Sequence, residues 1–275
     1  MFPLLIEKLV RHEDLTTDEA AQAMREVMEG RAAPSALAGL LAALVMKGER
    51  PEEIAGLART MREHAVQLTT SPGEVFDTCG TGGDRSGTFN VSSAAAVVVA
   101  ACGVKVAKHG NRSVSSRCGS ADVFEQLGVN LAAAPAVVER ALHSGTIAFF
   151  FAPTFHPSMK HAGPTRREMG VRTAFNLLGP LTNPAGATRQ VVGVPRADLT
   201  DLLARSLRLL GSTRAWVKNY SILLGLTKNP KTPLAMSLTF VHRLNDRDLR
   251  GLSIDRNVPE PLRIAARKKV VLTGK

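Results

Sequence analysis

Aromatic residues are scarce in this 275-residue chain: one Trp, one Tyr and ten Phe make up 4% of it. A stacking platform for single-stranded nucleic acid needs several rings along one groove, so that class of binder is disfavoured. Cysteine is also sparse. Cys79, Cys102 and Cys118 have neither CxxC spacing nor histidines in a ligand pattern, which argues against a disulfide framework or a zinc site and leaves small packing residues. The longest apolar run, Ala94 to Val104, holds eleven residues, fewer than the roughly 18 to 20 of a membrane-spanning helix. The opening MFPLLIEKLVRHEDL mixes Glu7, Lys8, Arg11, Glu13 and Asp14 into its apolar residues, unlike a signal peptide. A cytoplasmic protein without a membrane partner is expected. Neither GxxxxGK[ST] nor GxGxxG occurs at the glycine cluster 80 to 83, so the common nucleotide fingerprints are excluded there.

What is abundant is apolar residues, 44%, and positive charge, +11. Such a surplus invites a polyanionic partner, but its distribution weakens that reading. From Lys218 onward there are 12 Lys and Arg against 4 Asp and Glu, a surplus of +8 that leaves +3 on the first 217 residues. Phosphate-bearing small molecules account for a few clustered cations in the body, and nucleic acid is not expected as a partner.

Residues 1 to 70 read as helices. Thr17 heads TTDEAAQAMREVMEG with acids in its first turn and Gly30 as a stop, and Pro34 and Pro51 stand where proline is tolerated, at helix starts. SALAGLLAALVMKG ends at Gly48, and a further helix, EEIAGLARTMREHAVQL, follows Pro51. The face formed by Leu37, Leu40, Leu41 and Leu44 suits either an internal core or a dimer interface. From Ser71 the texture changes: glycine-rich turns alternate with short β-branched runs such as VKVA (104 to 107) and TIAFFF (146 to 151), the pattern of parallel strands joined by helices. Helical texture returns at about 160 to 190, where the chain is expected to rejoin the helical domain. Residues 190 to 217 then read strand, helix, strand. The fold class expected is α/β, with a small helical domain (1 to 70), a larger α/β domain (71 to 217) around a mainly parallel sheet, and a divergent basic tail (218 to 275).

Three segments carry chemistry. In DTCGTGGDRSGTFNVSSAAAVVVAA a glycine-dense loop precedes Asn90, Ser92 and Ser93, which open an alanine-valine helix. Free N–H groups and the positive helix end there make an anion site. KHGNRSVSSRCGSAD gathers Lys108, His109, Asn111, Arg112, Ser115, Ser116 and Ser120 within thirteen residues, a second cradle that favours a ligand with two phosphate groups. RREMGVRTAFNLLGPLTNP offers Arg166, Arg167 and Arg172. Each suits a helix surface, and a carboxylate-bearing substrate would want one.

In order and spacing, DTCGTGGDRSGTFNVSS, KHGNRSVSSRCGSAD and HPSMKHAGPTRREMGVRTAFNLLGPLTNP resemble the anthranilate phosphoribosyltransferase family over about residues 1 to 217. The resemblance implies transfer of the phosphoribosyl group from phosphoribosyl pyrophosphate to anthranilate in tryptophan biosynthesis, with magnesium, in a homodimer formed through the helical domain. It implies that Gly80, Gly83, Asp84, Thr88, Asn90, Val91, Ser92 and Ser93 hold phosphoribosyl pyrophosphate together with Lys108, His109, Gly110, Asn111, Arg112, Ser113, Val114, Ser115, Ser116 and Ser120. Ser92 would also ligate magnesium. Asn111 and Arg166 match positions that contact anthranilate, with Gly80 and His109 beside it, and Lys108, His109 and Arg166 form the implied catalytic set. Cys118 replaces a residue usually serine in the family.

After Trp216-Val217 the likeness stops. The family continues with a His-Gly segment and an adjacent Asp-Glu pair for magnesium, whereas this chain reads KNYSILLGLTKNPKTPL and has no such pair from 218 to 275. The tail reads as a different reading frame or a foreign segment. It should leave the α/β domain incomplete, apolar sheet surface exposed and activity impaired. Two other readings differ in class. A pyrimidine nucleoside phosphorylase would take phosphate instead, against which KHGNR and GPLTNP count; a non-catalytic nucleic-acid-binding relative would use the basic tail, against which the lack of aromatics counts.

Overall fold

The computed structural model describes residues 1–82, 89–113, 118–212, 227–228 and 234–273. The chain divides into two compact units, Met1–Ser206 and Leu207–Lys275.

The first unit begins with four helices: α1 (Phe2–Val10), α2 (Thr17–Met28), α3 (Pro34–Lys47) and α4 (Pro51–Glu63). Helix α2 starts on a reciprocal cap. The Glu19 amide donates to Thr16 Oγ1 at 3.2 Å, and the Thr16 amide donates to the Glu19 carboxylate at 2.7 Å, satisfying two donors that a helix start otherwise leaves unpaired. Leu37, Leu40, Leu41 and Leu44 are at most 2% exposed, so they are internal core, each contributing about 1.5–3 kcal/mol of burial. Gly56 lies against α2, where a Cβ would overlap the Thr17 carbonyl oxygen and come within 3.0 Å of the Ala20 Cβ. Glycine is therefore what lets α4 approach α2. Helix α4 ends at Glu63, short of the Leu68 that the apolar pattern suggests. His64 caps it, and the Val66 amide turns away to the Phe155 carbonyl at 2.8 Å.

The connection to the sheet is clasped by a carboxylate. Glu139 accepts from the amides and hydroxyls of both Thr69 and Thr70 at 2.7–3.1 Å. These donors hold its pKa down at about 2.

Strands β1 (Phe76–Gly80), β2 (Val106–Gly110), β3 (Ile147–Phe151) and β4 (Arg189–Gly193) form one sheet in the order β3-β2-β1-β4, every neighbouring pair parallel. Between them run α5 (Val91–Ala101), α6 (Ser120–Gln126), α7 (Pro135–Ser144), α8 (Ala152–Phe155), a 3-10 turn (Pro157–His161), α9 (Gly163–Met169), α10 (Phe175–Leu178) and a second 3-10 turn (Gly179–Leu181); α11 (Asp198–Ser212) follows β4. Side chains alternate across the pleat. Ala107, Ala148 and Phe150 face Val138 and Leu142 of α7, while Val106 packs with Ala96 and Ala100 of α5 and Phe149 stacks on Phe124 of α6 at 4.8 Å. Strand β3, IAFFF, is apolar throughout, as a doubly covered parallel strand requires, whereas β1 and β2 bury Asp77, Thr78, Lys108 and His109 among their apolar residues. β4 differs. Its residues alternate exposed and half-buried, and Val191 is 61% exposed; Val97 and Val98 on α5 are exposed too.

One further sequence expectation is corrected here. The strand read at 104 to 107 runs instead to Gly110, because Lys108 and His109 find buried partners within the sheet region. The segment at 160 to 190 touches the helical layer: Phe175 joins Met24, Val27, Leu41, Leu44 and Leu57 around one small cavity.

The second unit has helices Leu234–Val241, Asp246–Ile254 and Glu260–Thr273. Asn245 caps the middle one, accepting the Asp248 amide at 2.8 Å. Phe240, Val241, Leu244, Leu249, Leu252, Val258, Leu262 and Ala266 make a core of their own. The strand expected at 213 to 217 lies outside the described residues. No helix among the described residues is long and apolar enough to cross a membrane.

Candidate active site

The chain moves from β1 to β2 to β3 in one direction and then places β4 on the other side of β1. The strand order therefore reverses between β1 and β4. Ligands of open α/β sheets bind at the carboxyl ends of the strands beside such a reversal. Gly80 and Gly193 are register partners at that end, and the Thr81 amide donates to the Gly193 carbonyl at 3.0 Å.

Helix α5 begins beside this crevice. Asn90 caps it: its Oδ1 accepts Ser92 Oγ at 3.3 Å, Ser93 Oγ at 3.0 Å and the Ser93 amide at 3.4 Å. Thr78 Oγ1 donates to the Ser92 carbonyl at 2.6 Å, pinning the first turn to β1. That turn carries no acidic side chain, so its positive end is uncompensated. Arg172, read from sequence as an ordinary surface cation, comes here: its guanidinium donates to the Gly82 carbonyl and, at 3.4 Å, to Thr81 Oγ1.

The second cradle is mixed. Lys108 is 2% exposed, and its ammonium donates to the Thr78 and His109 carbonyls. Burial lowers its pKa while Asp77 opposes the fall. It thus places a positive charge behind the ends of β1 and β2. Gly110 is required by close approach, since a Cβ would overlap Ser120 Oγ and touch the Phe149 ring at 2.9 Å. Arg112 is exposed and paired at 2.8 Å with both Asp122 and Glu125, so a phosphate must compete with two carboxylates for it. Asn111 and Ser120 meet where Ser120 Oγ donates to the Asn111 carbonyl at 3.4 Å, and the Ser113 amide faces Asp122 at 3.5 Å. Val91 is exposed at the helix start. Gly83, Asp84, Thr88, Val114, Ser115 and Ser116 lie outside the described residues.

Two buried histidines form a third group. The His109 Nδ1–H donates to the Gly179 carbonyl at 3.2 Å, and the His156 Nε2–H donates to the Thr182 carbonyl at 3.1 Å. Their rings are 5.3 Å apart, and the other nitrogens, His109 Nε2 and His156 Nδ1, are buried without a hydrogen-bond partner. Donation to carbonyls fixes the tautomers, leaving a bare lone pair on each. Burial drives the pKa of His109 down to about 4, helped by Lys108, and that of His156 down to about 3, helped by His109. Both are neutral acceptors at pH 7. Arg166 stacks on Phe175 at 4.8 Å, and burial lowers its pKa.

Sequence reasoning passed over Asp77. It is fully buried; Oδ1 accepts the His109 amide at 3.2 Å, and Oδ2 accepts Asn183 Nδ2 at 2.9 Å and Gln190 Nε2 at 3.3 Å. An Asp amid buried strand residues was the available signal, because a carboxylate there must be hydrogen-bonded. His156 carried none beyond its place in HPSMKHAG. Among the described residues no three His, Cys, Asp or Glu side chains gather as a metal cluster.

A bundle of helices followed by a parallel α/β sheet, with an uncompensated helix start at the strand reversal, defines a two-domain protein of one recognisable class. The chain belongs to the glycosyl transferase family: residues 3–65 match its helical bundle domain and residues 72–221 its a/b domain. Among its relatives are anthranilate phosphoribosyltransferases of Syntrophobacter fumaroxidans, 54% identical over 212 residues covering 77% of this chain and 63% of the relative, and of Moorella thermoacetica, 56% identical over 217 residues covering 79% and 64%. The anthranilate phosphoribosyltransferase of Thermus thermophilus superposes with a TM-score of 0.70 at 50% identity, over 75% of this chain and 63% of that one. The Saccharomyces cerevisiae enzyme in complex with phosphoribosyl pyrophosphate and magnesium gives 0.70 at 26% identity, over 77% and 63%. The chain thus spans about 63% of the length of the curated relatives it matches.

Proposed function

We propose that this chain carries the phosphoribosyl pyrophosphate and anthranilate sites of an anthranilate phosphoribosyltransferase, in which the anthranilate amine displaces pyrophosphate from C1 of ribose. The observation that carries this reading is the Asn90-capped, acid-free start of α5 at the strand reversal, beside buried Lys108. Asn90, Val91, Ser92 and Ser93, with Gly80, Gly83, Asp84 and Thr88, take the pyrophosphate side. Lys108 acts through its potential from behind the strands, and Gly110, Asn111, Arg112, Ser113 and Ser120 take the phosphates once Arg112 leaves its carboxylates, with Val114, Ser115 and Ser116 assigned to the same role by the family resemblance. As the C1–O bond breaks, negative charge grows on the departing pyrophosphate, and fixed N–H groups stabilise it without reorganising. Arg166 pairs with the anthranilate carboxylate. His109 Nε2 accepts a hydrogen bond from the amine, orienting its lone pair toward C1; with a pKa near 4 it holds the amine without removing its proton before attack. The proton leaves to solvent after the C1–N bond forms.

Magnesium would supply charge neutralisation on the pyrophosphate. The residues present fit an ion that arrives on substrate phosphates and keeps most of its waters: the Ser92 hydroxyl would be one oxygen donor at the right helix end, and residues 218 to 275 contain no adjacent Asp-Glu pair to add to it. Exposed Leu4, Val45 and Met46 on α1 and α3 support a homodimer through the helical layer, and the pathway assignment carries with it a cytoplasmic location. The test is a coupled assay for pyrophosphate release and loss of anthranilate fluorescence with the chain, phosphoribosyl pyrophosphate and magnesium. Slow product formation is expected. No product, even after residues 218 to 275 are replaced by a C-terminus of family type, contradicts the proposal.

A further inference from the structure

The turn Gly179–Thr182 closes on one carbonyl, that of Gly179, which accepts the Thr182 amide at 3.3 Å and the Thr182 hydroxyl at 3.3 Å. The other three carbonyls must find partners elsewhere. All four accept from a side chain of a different part of the first unit. Gly179 accepts His109 Nδ1 at 3.2 Å, Pro180 accepts Gln190 Nε2 at 2.8 Å, Leu181 accepts Arg62 Nε, and Thr182 accepts His156 Nε2 at 3.1 Å. Two of these side chains are the neutral histidines of the site. The other two, Arg62 on α4 and Gln190 on β4, are not among the residues assigned to ligand.

We infer that Arg62 and Gln190 are positioning residues: by holding the two central carbonyls of the Gly179–Thr182 turn they set the outer two, and so fix the ring orientations of His109 and His156 on the acceptor side of the site. This rests on the proposed function for what the histidines receive. Gln190 has a second hold, since the same amide nitrogen reaches Asp77 Oδ2 at 3.3 Å while Asp77 Oδ1 takes the His109 amide. The backbone and the ring of His109 are thereby tied to one side chain through two routes. Arg62 brings the helical layer into the same arrangement across 119 residues of sequence. Displacing a carbonyl acceptor by an ångström is enough to spoil a ring's aim, and misplacement of that size costs on the order of a hundredfold in reactions that depend on alignment.

The test uses the full chain carrying Arg62→Met, Gln190→Met or Arg62→Lys. Imidazole nitrogen NMR reads the tautomer of each histidine, and equilibrium titration reads binding of anthranilate and of phosphoribosyl pyrophosphate with magnesium. The two methionine variants should convert the single Nδ1–H tautomer of His109 to a mixture and weaken anthranilate about tenfold, with less than about a twofold change for phosphoribosyl pyrophosphate. Arg62→Lys, which keeps a charged donor and the fold, should fall between. Unchanged imidazole spectra, or equal losses for both ligands, overturn the inference. If the parent chain binds neither ligand the proposed function fails, and the imidazole spectra still decide the positioning role.

Discussion

Acidification should loosen the first unit through two side chains. His109 and His156 are 6% and 2% exposed, with pKa values pushed to about 4 and about 3 from an ordinary 6.5. Below pH 6.5 the unfolded chain takes up protons that the folded chain refuses, so stability is complete above that pH and falls as pH drops from 6.5 toward 4. Between pH 7 and pH 5 each histidine costs about 2 kcal/mol, and the pair about 4 kcal/mol. That is a large share of the roughly 5–15 kcal/mol that holds a domain together. Glu139 titrates in a lower window: its depressed pKa means its contribution is lost only as pH falls below 4.5 toward 2. Urea unfolding followed by circular dichroism, at pH 7 and pH 5, gives the difference directly. His156→Asn should remove about half of it. An identical pH dependence in parent and variant would refute the claim that these rings are buried and neutral.

Gly56→Ala gains up to about 1 kcal/mol of helix propensity but drives a methyl into the Thr17 carbonyl, and overpacking of about 1–3 kcal/mol or more wins; denaturation should show net destabilisation. Lys108→Ala should weaken phosphoribosyl pyrophosphate and Arg166→Ala anthranilate, each by about tenfold or more in titrations; equal losses for both ligands would refute the division of roles. Replacing residues 218 to 275 with a family-type C-terminus should raise turnover by about a hundredfold or more, since missing stabilisation of developing charge is worth on the order of several kcal/mol. A comparable rate in the unrepaired chain would mean that a tail carboxylate such as Asp246 or Asp248 supplies what the pair would.

Helix starts were legible because their signals are local: Pro34, Pro51 and the acids after Thr17 each act within one turn, although the capping residue itself, Thr16, was not singled out. The β3 run TIAFFF was equally plain, as a doubly covered strand is apolar throughout. β2 was misjudged at Lys108 and His109, whose partners Thr78 and Gly179 are brought near only by the sheet. The anion loop was visible in glycine, Asn90 and two serines, whereas Asp77, His156, Gln190 and Arg62 act through contacts 26 or more residues away. In the tail, charge drew attention away from a helical pattern that buries Phe240, Leu249 and Leu262 together.

Thermal unfolding of the full chain with and without phosphoribosyl pyrophosphate and magnesium tests the central claim most directly. A ligand held at about 100 times its Kd adds about 2.7 kcal/mol to the folded state, which should raise the melting temperature of the first unit by roughly 5–10 °C. Asn90→Ala, which uncaps α5, should shrink that shift. No shift at millimolar ligand, in a chain whose circular dichroism confirms that it is folded, would contradict the account.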